Sequence, residues 1–168
     1  MIQEVLHHAI LKNHQSVTQW FKQTSQELIF PITSSFDMRD SHFKVANVDA
    51  NIFPAGFNNI CPVDQESDQQ IMRAYLERHY GEGCQNILLL TEENTKNPHY
   101  WDNILSLIDI IKGAGKNILV GIPRAMENPL EIISASGKSV SIHPVVLIDG
   151  KVVVDGFSPD LIINNNDF

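Results

Sequence analysis

A carboxylate and an amide two residues apart, Asp49 and Asn51, follow a short apolar run from Phe43 to Val48. The loop Phe53-Pro54-Ala55-Gly56-Phe57 comes next and leads into the paired amides Asn58 and Asn59. Alternation in the apolar run predicts a strand, with Asp49 and Asn51 at its carboxyl end. In open α/β sheets, ligands bind in the crevice outside the carboxyl ends of the strands. Acids and amides on such loops can hold the polar groups of a small molecule, yet the same residues are the usual makers of an Asx-capped turn. A second polar loop, Thr91 to Asn97, carries Glu93 and Asn94 and follows a second apolar run at Asn86 to Leu90. Arg39 offers a bidentate fork to a carboxylate, or an ion pair to Asp37 or Asp40. Asp49 with Glu93 also admits a metal-dependent hydrolase, although only two loop acids support it.

The elements that must position these groups read as follows. Ile2 to Phe30 has a broken helical stripe (Val5, Leu6, Ile10, Val17, Trp20, Phe21, Leu28), interrupted by the polar Asn13 to Ser16 and ended by Pro31. His7, His8 and His14 in this stretch lack zinc-ligand spacing. Ile32 to His42 reads as a polar connection. Ser67 to Gly81 is a helix, with Ser67 and Gln70 in capping-box spacing and Gly81 as its carboxyl cap; Ile71, Tyr75, Leu76 and His79 share its apolar face. Asn97 followed by Pro98 starts a further helix, with Trp101, Ile104, Leu105, Ile108 and Ile111 inward. Ile118 to Ile122 is the next strand.

From Glu131 the pattern becomes short β segments, Ser139 to Ile142, Val145 to Ile148 and Lys151 to Val154, with Asp149-Gly150 as a hairpin turn. Leu161 to Ile163 is a last strand, opening into Asn164, Asn165, Asn166 and Asp167. The order predicts an α/β fold, with a Rossmann-like, mainly parallel sheet flanked by helices and a β-rich carboxyl segment. The expected layout is a single domain over 1–168, with a helical lead-in at 1–30, a βαβαβ core at 43–122 and a hairpin segment at 131–163. No G-x-G-x-x-G follows a strand and no phosphate-binding G-x-x-x-x-G-K-[ST] occurs; Gly113-Ala114-Gly115-Lys116 reads as a helix cap.

The 168 residues suffice for a real core. With 43% hydrophobic and 19% charged residues the composition is globular. A formal net charge of −8 without a basic stripe argues against nucleic acid and anionic membranes as partners. The amino-terminal residues lack signal-peptide features, so cytoplasm is the expected compartment. Cys61 and Cys84 are expected to be reduced, with Cys61 read as a buried structural cysteine.

Three blocks carry a family resemblance. They are VDANIFPAGFNNICP from Val48 to Pro62, LLLTEENTKNPHYWDNI from Leu88 to Ile104, and LIINNNDF from Leu161 to Phe168. Together they resemble the less common proteobacterial type of glutamate–cysteine ligase, which makes γ-glutamylcysteine, the first step of glutathione biosynthesis. Members of that family are longer, so the chain reads as an amino-terminal portion. The resemblance implies an ATP-dependent carboxylate–amine ligase similar to the ATP-grasp enzymes. L-glutamate and L-cysteine are then its substrates, and ATP and Mg²⁺ its cofactors, their site mostly outside this chain. A separately encoded carboxyl-terminal part or a second copy is an implied partner. The portion present is expected to hold amino-acid substrate. Asp49 would meet an amino group and Arg39 a carboxylate. Asn51, Asn58 and Asn59 would orient the substrate, with Glu93 and Asn94 in support. A truncated interaction domain without activity is the alternative.

Overall fold

The computed structural model describes residues 2–26, 28–92, 95–154 and 156–166. The chain forms two compact units, Met1–Ile52 and Phe53–Phe168.

The first unit opens with α1 (Ile2–Lys12) and α2 (His14–Gln26). The break falls at Asn13, whose side-chain amide donates to the Ala9 carbonyl at 2.9 Å. Such local bonding competes with the helical ladder. Helix α2 ends at Gln26, before Pro31, and among its described residues none is buried. The stretch 32–42, expected to be a connection, instead contains β1 (Ser35–Asp40), which pairs antiparallel with β2 (Val45–Asn51). Their turn is closed by Ser41 N–H to the Lys44 carbonyl and by His42 N–H to Asp40 Oδ1 at 2.8 Å. So β2 is not the first strand of a βαβαβ core spanning 43–122. Alternation identifies a strand but not its partner; a tight turn supplies an antiparallel neighbour at little loop cost, whereas a parallel one needs a crossover.

The second unit holds α3 (Gln65–Tyr80), β3 (Asn86–Thr91), α4 (Pro98–Gly113), β4 (Asn117–Ile122), β5 (Leu130–Ile133), β6 (Ser139–Pro144), β7 (Val146–Ile148), β8 (Lys151–Val153) and β9 (Leu161–Asn165). Five strands make one mixed sheet in the order β5-β6-β4-β3-β9. β3 is parallel to both β4 and β9, β6 is parallel to β4, and β5 is antiparallel to β6. The core is built from Ile87, Leu88 and Leu89 of β3, Leu76 of α3 and Ile104, Leu107 and Ile111 of α4, all 0% exposed.

Helix α4 starts as its residues dictate: Asn97 Oδ1 accepts the His99 N–H at 3.1 Å and Pro98 occupies the first turn. Helix α3 begins earlier than expected, at Gln65 after Asp64, so Ser67 is not its cap. It buries Met72 and Leu76, while Ile71 stays 63% exposed. Gly81, at φ 81°, ends it. Asp149 and Gly150 both have positive φ, as the β7–β8 hairpin turn requires. Gly121 is a close-approach position, because a Cβ there would meet Leu88 Cδ1 at 2.9 Å and also strike Val145.

Candidate functional site

The loop after Phe53 is held against the carboxyl ends of β3 and β9 by two buried asparagines. Asn103, 5% exposed on the inner side of α4, donates to the Pro54 carbonyl at 2.9 Å and accepts the Phe57 N–H at 2.9 Å. Asn165, 0% exposed at the end of β9, donates to the same Pro54 carbonyl at 2.6 Å. Asn165 Oδ1 is buried and has no hydrogen-bond partner among the described residues. Tyr100 ties the two strand ends together: its hydroxyl donates to the Asn165 carbonyl at 2.9 Å and accepts the Glu92 N–H at 3.1 Å. Burial pushes the Tyr100 hydroxyl well above its ordinary range, opposed by the Glu92 N–H, so it stays protonated and can keep donating. Thr91 Oγ1 donates to the Gly121 carbonyl at 3.0 Å and joins the end of β3 to β4.

Because this anchoring fixes the one-turn 3₁₀ segment Phe57–Asn59, Asn58 stands in a polar groove of about 280 Å³. Asp102, Leu105, Ser106 and Asp109 of α4 line it with Ser136 and Lys138 of the β5–β6 turn. The Asp102 carboxyl lies below the usual range. The hydroxyls of Ser134 and Ser136 hold it there first, then the Ser136 N–H at 3.3 Å and the neighbouring His99 at 3.8 Å. It is therefore ionised at neutral pH. Asp102, Asp109 and Lys138 in the lining of one groove offer partners for an ammonium and a carboxylate in the same ligand.

Of the residues expected to form a site, Asn58 alone is among those described as lining this groove. Arg39 is exposed on β1, opposite Ala46, and Asn51 ends β2 opposite Ser35. Asp49 is not beyond the carboxyl end of a strand in a parallel sheet. It lies within β2 as the extra residue of a β-bulge, where the register shifts between Phe36 and Asp37, and its φ is 49°. An aspartate tolerates that left-handed conformation better than most residues. Asn59 is exposed beside Asn58. Glu93 and Asn94 lie outside the described residues. Cys61 is exposed rather than buried, while Cys84 is buried and burial raises its thiol. Asn103 escaped the sequence reading, although an amide on an otherwise apolar helix face was a usable signal. Asp102, Asp109 and Lys138 carried none, since a charged residue on a helix or turn is usually solvated.

Two features of the described residues bear on a nucleotide and its metal. No three His, Cys, Asp or Glu side chains among them converge as a metal site. The glycine-rich run Gly113–Lys116 closes the carboxyl end of α4, where the carbonyls of Gly113 and Ala114 accept from Arg73 at 3.1 and 3.0 Å. A helix carboxyl end presents oxygens and partial negative charge, the wrong polarity for phosphate.

No curated protein matches the chain. A crystal structure from Methylobacillus flagellatus KT, a protein whose description as a gamma-glutamylcysteine synthetase is itself provisional, superimposes with a TM-score of 0.87 at 30% identity. The match covers 97% of this chain and 38% of that one, so the chain spans well under half the length of this relative. The family model GshA, glutamate-cysteine ligase, matches residues 7–168. With nearly its whole length inside that match, the chain belongs to the glutamate–cysteine ligase family.

Proposed function

We propose that this chain supplies amino-acid binding to an ATP-dependent ligation that joins the γ-carboxylate of L-glutamate to the amine of L-cysteine in the cytoplasm. The observation that carries this reading is the groove in which Asn58 of the family's signature loop meets Asp102, Asp109 and Lys138. An α-amino acid at neutral pH is a zwitterion. Lys138 would take its carboxylate, Asp109 with Asp102 its ammonium, and Asn58 a side-chain oxygen or sulfur. Fixing both ends of a small substrate converts an encounter into a positioned reaction, which is the main service a binding half can render. Arg39, Asp49 and Asn51 are assigned a second set of amino-acid contacts on the β1–β2 hairpin. ATP and Mg²⁺ supply the activation of the carboxylate in this reading, and no step involving them is assigned to the described residues.

Calorimetric titration with L-glutamate, L-cysteine and Mg-ATP tests it, using the natural chain, Lys138→Ala and Asp49→Ala. One of the two amino acids is expected to bind, with affinity falling at least about tenfold in Lys138→Ala, the loss of roughly 1.4 kcal/mol. A parallel loss in Asp49→Ala would bring the hairpin residues into the same function; no loss there would restrict binding to the groove. Absence of binding by either amino acid would overturn the proposal, and tight Mg-ATP binding would overturn the assignment of nucleotide chemistry elsewhere.

A further inference from the structure

The sheet of the second unit is clothed unequally. Both of its α-helices pack on each other, and α4 lies against β4 and β5. The pleat turns Leu88, Leu90 and Ile162 into a cavity of about 280 Å³ whose other walls are Pro123, Val145, Val146, Leu147 and Val152. No residue of α3 or α4 lines it. Its cover is the small β7–β8 hairpin, which itself leaves Leu147 71% and Ile148 53% exposed, and Ile162 on the edge strand β9 is 41% exposed. Parallel strands occur almost only in sheets covered on both faces, because crossover helices lie there and the strands are apolar on both sides. Within this unit, neither α3 nor α4 contributes a described residue to that second apolar face.

The relative from Methylobacillus flagellatus keeps this fold, yet more than half of its chain lies outside the match. We propose that the face formed by Leu90, Val146, Leu147 and Ile162 is a docking surface for that additional family polypeptide, which covers it with the apolar side of an amphipathic helix. The occupant replaces water over a patch bordered by β9, an edge strand whose outer backbone groups have no partner strand in this sheet. Continuous apolar surface beside an edge is what a further layer of an α/β sheet requires. The proposal rests on family membership and the sheet, not on amino-acid binding, so it can fail without affecting that reading.

Hydrogen exchange provides one test. Amides of Val146–Val153 and Leu161–Asn165 in this chain are compared with the matching strands of the intact Methylobacillus flagellatus protein. Exchange at least about tenfold slower in the intact relative is expected, since covering the face raises the cost of local opening; equal rates would overturn the proposal. In a second test, the remainder of that relative is co-expressed with this chain, and a complex is expected that Leu147→Lys reduces at least about tenfold. Leu147 is exposed, so the variant should fold. No complex, or a complex indifferent to Leu147→Lys, would overturn the docking surface. A dimer of this chain alone by light scattering, dispersed by Leu147→Lys, would assign the face to a second copy and overturn it too.

Discussion

Asn103 bonds the loop that carries Asn58, and the two amides have opposite characters. Asn103 uses its donor and its acceptor on backbone groups of Pro54 and Phe57 in a buried setting, whereas Asn58 is exposed on a groove wall. Removing a buried partner leaves the backbone group unsatisfied and costs about 1–3 kcal/mol for each bond. Asn103→Ala is therefore expected to destabilise the chain by about 2–4 kcal/mol in urea unfolding, and Asn58→Ala by less than about 0.5 kcal/mol. Equal effects would mean that the loop is not held as described. The sequence marked Asn58 for its position in a family block and overlooked Asn103, whose importance comes from facing inward.

At the scale of elements, β9 is the strand brought from farthest along the chain, and Asp160 joins its start to β3. The Asp160 carboxylate accepts the N–H groups of Gln85 and Asn86 at 2.9 and 2.8 Å. Those two bonds, that of Asn86 first, hold its carboxyl below the ordinary 3.8. A carboxyl depressed by folding stabilises the native state above its unfolded pKa, and the benefit disappears as pH falls through the folded value. Urea midpoints measured from about pH 6 down to about pH 2 should thus fall more steeply for the natural chain than for Asp160→Asn. Matching slopes would show that the staple contributes nothing. Strands β3, β4 and the β7–β8 hairpin were legible from apolar runs and from Asp149-Gly150. The pairing of β2 with β1 was not, because alternation is the same in a hairpin and in a sheet edge.

Across the whole molecule, order should follow burial. Ile87, Leu88 and Leu89 are 0% exposed, whereas β1 and β2 form a two-stranded sheet whose Phe36 and Met38 are 53% and 64% exposed. Isolated hairpins are marginal in water. Native-state exchange is expected to show the slowest amides in β3 and β4 and exchange through local opening in β1 and β2; uniform protection would contradict the division into two units. The sequence alone determined the family, through three ordered blocks, and the places of most helices and strands, because periodicity and caps act over a few residues. It also predicted the α/β class and the β-rich carboxyl segment. Only the tertiary structure decided that the sheet is mixed, that Asp49 sits in a bulge, and that Asn103 and Asn165 grip one carbonyl. It also decided that Asn58 shares a groove with Lys138, 80 positions along the numbering. Those outcomes depend on which distant residues are brought together by burying a common apolar face, a choice that local pattern does not encode.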